Sequence, residues 1–266
     1  MRVFLPLFAA TFTLFIHQYV CTEIIGGKEV IPHSRPYMAF LATPVGTKIK
    51  MCGGTLIDSS WVLTAAHCTI NSDTIIKLGL HSWREEDQYV QRFQVSKWRP
   101  HPRYKAETLD NDVQLVQLSG KATLNCAVKP LNLPTTFSDV EEETICESAG
   151  WGRTRNEQGS TSDKLLEVSL PAISRDECAK KWDPIKITEN MMCTLDAAGG
   201  KDTCRGDSGG PLICEGELRG VVSFGPENCA YPEYPSGYAF LNENIVNWIK
   251  REIKIVNWIK REIEKK

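Results

Sequence analysis

The stretch Gly206-Asp207-Ser208-Gly209-Gly210-Pro211 sets one serine among glycines on a turn that a proline closes. Glycine lets the backbone come close to a substrate carbonyl, because no Cβ stands in the way. Ser208 is therefore a candidate nucleophile, and the N–H groups of Gly206 and Ser208 could bind the oxyanion formed when a carbonyl is attacked. A Gly-rich surface turn would carry the same letters, so the partners decide between the two readings.

A serine hydroxyl needs an adjacent base, and the base needs a third group to orient it. The chain has five histidines. His17 lies in the leader, and His33, His81 and His101 stand in polar or Pro-flanked stretches that read as surface loops. His67 follows the apolar, strand-like run Trp61-Val62-Leu63-Thr64-Ala65-Ala66 and precedes Cys68, which can pin it. The orienting carboxylate should be one about to be buried. Asp112 leads into Val113, Leu115, Val116 and Leu118, while Asp110 is the lesser candidate because it is farther from that run.

The elements that must hold these groups are short. Apolar runs such as Tyr37-Met38-Ala39-Phe40-Leu41 and Thr74-Ile75-Ile76-Lys77-Leu78 recur between Gly, Pro and polar clusters, as in an all-β domain. The 266 residues suffice for one large domain or two small ones, and 42% hydrophobic content allows a sizeable core. A formal charge of −2 excludes any strong argument for nucleic acid or a polyanionic surface. Residues 1–21 read as a secretory signal: Arg2, an apolar core from Val3 to Ile16, then the polar exit His17 to Cys21. That core is too short for a span of ~20 apolar residues, and no later stretch qualifies, so no transmembrane segment is expected. Secretion implies an oxidising compartment, where the cysteines should form disulfides. No Asn-x-Ser/Thr sequon occurs.

In the order His67, Asp112, Ser208 the chain resembles the chymotrypsin-fold, S1-type serine proteases. The resemblance runs from Ile24 to about Lys254. It rests on Ile24-Ile25-Gly26-Gly27, Thr64-Ala65-Ala66-His67-Cys68, Asp112-Val113-Gln114-Leu115, Gly150-Trp151-Gly152 and the Gly206 to Pro211 segment. It implies an all-β fold of two antiparallel six-stranded β-barrels with a C-terminal α-helix. The barrels would span about 24–130 and 137–240, joined by a linker over Lys129 to Thr136, with the helix from about 245. The site would then lie between barrels, as a His67-Asp112-Ser208 triad with an oxyanion hole at Gly206 and Ser208. Asp202, six residues before Ser208, would form the base of a pocket for arginine or lysine. Ser223-Phe224-Gly225 would be the edge strand pairing with substrate, Ser223 also bonding Asp112 and Gly225 forming one pocket wall. The opposite wall is Gly237 counted back from Trp248, or Ser236 counted forward from Pro235. Four disulfides are implied: Cys52–Cys68, Cys146–Cys214, Cys178–Cys193 and Cys204–Cys229. Cys21 and Cys126 remain over. Leu80 stands where a calcium-binding glutamate would be, so no metal and no cofactor is expected.

The resemblance further implies a zymogen in which a free Ile24 amine pairs with Asp207 once the activation dipeptide Thr22-Glu23 is removed. A Glu-ended dipeptide is similar to that of granzymes, which a dipeptidyl peptidase trims. Ile24 to Val30, Pro32 to Pro36 and Gly200-Lys201-Asp202-Thr203-Cys204 most resemble granzymes of the K and A type, with Arg103 where granzyme A has its dimer-forming cysteine. The expected protein is a secreted or cytolytic-granule endopeptidase acting on proteins or peptides with Arg or Lys at the cut site, subject to serpin-type inhibitors. The alternatives are a digestive or plasma protease of the same chemistry, or a catalytically silent binding homologue. Residues 255–264 repeat the decapeptide that starts at Ile245, with Glu264 in its last place, within a helical extension over 255–266. Ten residues are not a whole number of helical turns, so the two copies should face about 80° apart. Ile245, Ile249, Ile253, Val256, Ile259 and Ile263 still share one stripe, and the second copy should project beyond the barrel.

Overall fold

Apolar residues recur through the runs between turns, and these runs pair into two antiparallel sheets. The computed structural model describes residues 25–154 and 160–264, with side chains left out at 257 and from 259 onward. The leader, Cys21, Thr22, Glu23 and Ile24 lie outside the described residues, as do the side chains of Ile259 and Ile263.

The elements run β1 Lys28–Glu29, β2 Met38–Val45, β3 Lys48–Asp58, β4 Trp61–Thr64, β5 Ile75–Leu78, β6 Gln91–Pro100 and β7 Gln114–Leu118. There follow β8 Ile145–Gly150, β9 Leu166–Ile173, α1 Arg175–Trp182, β10 Met191–Thr194, β11 Pro211–Cys214, β12 Glu217–Phe224, β13 Ser236–Phe240 and α2 Glu243–Glu264. The strands β2-β3-β4-β7-β6-β5 close into the first barrel. The strands β8, β9, β10, β13, β12 and β11 close into the second through the β8–β9 and β11–β8 pairings. Closure removes exposed sheet edges from both. The expected two six-stranded barrels and C-terminal helix are thus present.

Two features depart from the sequence reading. β1 precedes the first barrel in sequence but pairs with β9 of the second, Lys28 opposite Glu167, so residues 28–29 strap the barrels together. The helix α1 was not anticipated: its eight residues make little more than two turns and carry a weak signature, but Ser174 caps it by accepting from the Glu177 N–H at 3.2 Å.

One hydrophobic cluster spans both barrels and the final helix, with Trp61, Leu63, Val113 and Leu115 from one side and Leu218, Val221, Ile245 and Ile249 from the other. Val256, in the second decapeptide, joins this cluster at 8% exposure, with Ile253 packed beside it. The expectation that the second copy projects beyond the barrel is therefore corrected for its first turn. Val256 lies seven residues after Ile249, within about 20° of two full turns, so it falls on the face that Ile249 and Ile253 already press on the barrel. Trp258 points outward, 62% exposed. The disulfides Cys52–Cys68, Cys146–Cys214, Cys178–Cys193 and Cys204–Cys229 are formed, and Cys126 is a free, exposed thiol.

Candidate active site

His67 sits on the turn that ends β4, and Asp112 on the turn that enters β7. Because β4 pairs with β7, Thr64 opposite Gln114, the two turns start side by side. Asp112 is fully buried and meets His67 twice. Its Oδ1 accepts from the His67 backbone N–H at 2.8 Å, and its Oδ2 lies 2.7 Å from Nδ1 of the ring. Ser223 donates its hydroxyl to the same Oδ2 at 2.5 Å. Two or three hydrogen bonds to a buried carboxylate are what keep such a charge tolerable. Gln114 fixes the turn itself, because its buried amide donates to the carbonyls of Ala65 at 2.7 Å and Cys68 at 2.8 Å. Asp110 faces elsewhere, accepting from Thr188 and Asn190.

Ser208 lies across the cleft, on the turn before β11. Its carbonyl accepts from Gly53 N–H at 2.8 Å, Gly209 N–H donates to Val222 O, and Gly210 N–H to Asp207 O, each at 2.8 Å. The turn requires its glycines: at Gly209, φ +83°, a Cβ would fall 2.0 Å from Thr64 Oγ1. Gly206, φ +106°, would press a Cβ to 3.0 Å from Gly152. Among the described residues, the N–H groups of Gly206 and Ser208 have no protein acceptor, so both are available to an oxyanion. His67, Gly206 and Ser208 line one open cavity of about 660 Å³. No hydrogen bond joins Ser208 Oγ to His67 in this structure. Such contacts commonly tighten only when substrate arrives.

Asp207 is fully buried. Its Oδ1 accepts from Gly152 N–H at 2.7 Å and its Oδ2 from Cys204 N–H at 2.9 Å, while burial pushes its carboxyl up to about 6. The N-terminal segment reaches this region: Ile25 O accepts from Asp202 N–H at 3.1 Å.

A second cavity, of about 430 Å³, opens at Ser208 and runs between Ser223, Phe224 and Gly225 on one side and Cys229 and Ser236 on the other. Asp202 does not line it but is buried next to it, bonded to Ser236, which does. One carboxylate oxygen accepts from the Ser236 hydroxyl and the other from Ala230 N–H at 2.7 Å. Desolvation raises its carboxyl to about 6, against those hydrogen bonds. Gly225 lines this space, where a Cβ would stand 3.3 Å from Ser236 Oγ. Gly237 does not line it. A Cβ there would strike the Phe224 ring at 2.1 Å, so strand alternation points position 237 away and position 236 inward. Ser236 therefore replaces Gly237 as the facing wall. Sequence reading also missed Trp182, whose ring meets Phe224 edge-on at 5.6 Å and whose indole N–H donates to Pro235 O at 3.1 Å. Its place at the end of an unanticipated helix hid it.

The other histidines serve packing and pairing. His33 pairs with Asp87 and His81 with Glu29. His101 was read as a surface residue but is buried, edge-on to Trp248 at 4.8 Å, because the C-terminal helix covers its loop. Among the described residues no group of His, Cys, Asp and Glu is arranged to hold a metal.

Comparison with known proteins accords with this geometry. The trypsin family pattern matches residues 24–249. Granzyme A of Bos taurus is 41% identical over 237 residues, 88% of this chain and 89% of its own. Mast cell protease 3 of Ovis aries is 40% identical, covering 87% of this chain and 90% of its own. Trypsin I-P1 of Gallus gallus is also 40% identical, covering 86% and 88%.

Proposed function

The chain belongs to the trypsin family and is a trypsin-like serine endopeptidase; from that premise we propose that it cuts polypeptides after arginine or lysine, using His67, Asp112 and Ser208. Ser208 Oγ attacks the carbonyl while His67 takes its proton. Asp112 holds the ring so that Nε2 faces the serine, and it stabilises the imidazolium that forms. The N–H groups of Gly206 and Ser208 bind the oxyanion. His67 then returns the proton to the leaving amine, and water repeats the sequence on the acyl-enzyme.

The observation that carries the cationic preference is Asp202, buried next to the cavity that opens at Ser208. A buried carboxylate without a cation is costly, and an incoming guanidinium or ammonium offsets that cost where a neutral side chain does not. A panel of peptides differing only in the residue before the cut tests this. Preference for Phe or Asp there would overturn the pocket assignment, and Ser208→Ala should abolish turnover.

The proposed organisation is a signal at 1–21, an activation dipeptide at 22–23, a protease domain at 24–254 and an extension at 255–266. The docking of Ile25 beside Asp202 supports insertion of a free Ile24 amine towards Asp207. Removal of Thr22-Glu23 by a dipeptidyl peptidase, storage in a secretory or cytolytic granule, and control by serpin-type inhibitors complete the granzyme-like reading. Likeness to granzyme A and to a mast cell protease supports it. A second reading, a digestive protease, draws on the nearly equal likeness to chicken trypsin. N-terminal sequencing of the secreted protein separates them: a chain starting at Thr22 before activation fits the granule protease.

A further inference from the structure

The residue before the cut enters the cavity walled by Gly225 and Ser236. A peptide whose carbonyl rests at Ser208 must then run its following residues over the other cavity, the one lined by His67, Gly206 and the Cys52–Cys68 bridge. That cavity is lined by four cations, Lys48, Lys50, Arg153 and Arg205, and among the described residues by no carboxylate.

These cations are poorly compensated. Lys50 donates only to the neutral Thr69 hydroxyl, at 3.2 Å. Arg205 pairs with Glu227 at 3.3 Å, but that carboxylate is 88% exposed, and such open pairs hold weakly. Among the described residues Lys48 and Arg153 have no acidic partner within ion-pair distance. The chain as a whole carries −2, so this concentration of positive charge is local. Grouped like charges of this kind are relieved by an anionic ligand, and a cleft focuses their field on what passes through it.

We propose that this cavity selects acidic residues just after the cut, so that the preferred substrate is a segment with a cation before the bond and carboxylates after it. The inference rests on the Arg/Lys-cleaving reading, since that reading fixes which way the peptide lies. Lys48 and Lys50 bracket the strand β3 side of the cleft, and Arg153 and Arg205 the second-barrel side. Their adjacency is held by the Arg153 N–H, which donates to Arg205 O at 2.9 Å.

Three internally quenched peptides test it. All carry the same arginine-containing segment before the cut; at the second and third positions after it they carry two aspartates, two alanines or two lysines. An amide reporter with arginine and nothing after the cut measures the Arg-directed reaction alone. The wild type should favour the aspartate peptide over the lysine peptide by about tenfold in kcat/KM, the product of several weak exposed pairs. That ratio should fall towards one in ~0.5 M salt, where screening shortens the reach of exposed charges. In Lys48→Glu/Arg153→Glu the order should reverse. The ratio is taken within one preparation, so a lower folded fraction cancels. Equal rates for the three peptides, or an unchanged order in the double variant, would overturn the inference while the reporter still turns over. Failure of the wild type to hydrolyse the arginine reporter would overturn the Arg/Lys reading and this inference with it.

Discussion

The hydroxyl of Ser236, which lines the cavity opening at Ser208, donates to the buried carboxylate of Asp202. One side chain thus narrows the space and occupies an acceptor position that a substrate cation would use. Lysine, with a compact ammonium, tolerates this better than arginine, whose planar fork needs two acceptors. Ser236→Gly should raise kcat/KM for arginine relative to lysine by about tenfold, the lower end for removing one small group from a pocket. Paired peptides differing only in that residue measure it; an unchanged ratio means that Ser236 does not limit the site.

The raised carboxyl of Asp202, about 6, gives the pocket a pH dependence of its own. Above that value the empty pocket is ionised and attracts cations; below it the carboxyl is protonated and does not. An aromatic amidinium competing with substrate should therefore bind more weakly as pH falls through about 6. The stability sign is opposite. A folded value above the unfolded 3.8 means that ionising this group in the fold costs stability, a cost absent at low pH and fully present above about 6. Asp202→Asn should flatten the inhibitor profile. A profile unchanged by that substitution would assign the titration to another group.

The parts of the site legible in the sequence were those fixed by local letters. The Gly206 to Pro211 turn needs its glycines where a Cβ would collide, and Asp112 heads a run that strand pairing buries. What escaped depended on alternation and distant packing. Position 236 or 237 could not be chosen until the Phe224 ring was seen to fill the space beside Gly237. Trp182 and the cation-lined side of the cleft come from segments far apart in sequence, joined only by barrel closure. The strap of β1 onto β9 likewise has no signal in two polar residues.

Gln114 should matter to catalysis without touching substrate. Its amide bridges two carbonyls of the His67 turn. Gln114→Ala leaves the Cys68 carbonyl unsatisfied and the Ala65 carbonyl with only the Cys68 N–H at 3.2 Å, a loss of about 2 kcal/mol in stability. Turnover should fall about tenfold with KM nearly unchanged, because a loosened turn misplaces the base rather than the pocket. A rise in KM alone would place the defect in binding.

Gly26 adopts φ +68°, and a Cβ there would lie 2.1 Å from Gly200 O. The N-terminal segment can therefore dock beside Asp202 only with glycine at this position. Gly26→Ala, carried in a chain freed of residues 1–23, should have little activity and should resemble the form that keeps Thr22-Glu23. Full activity of the alanine variant would show that docking of the N-terminus is not needed for the oxyanion hole.

The C-terminal repeat makes two separable contributions. Val256 is 8% exposed within the cluster that holds Trp248, Ile249 and Leu63, whereas Ile255 and Trp258 face outward at 43% and 62%. Burying a valine is worth about 1.5–3 kcal/mol, and only the part of it below the β-carbon is lost in Val256→Ala, so that substitution should cost about 1 kcal/mol. Ending the chain at Lys254 removes the whole contact and should lower Tm by about 3–12 °C at 2–4 °C per kcal/mol. The reacting groups stand on β4, β7 and β11 turns, not on α2, so kcat/KM on short peptides at 25 °C should stay within about a factor of two of the full chain. Thermal melts and steady-state kinetics on the same truncated protein separate the effects. An unchanged Tm would make the Val256 contact energetically idle, and a collapse of kcat/KM in a folded truncated chain would mean that the second decapeptide supports the active cleft itself.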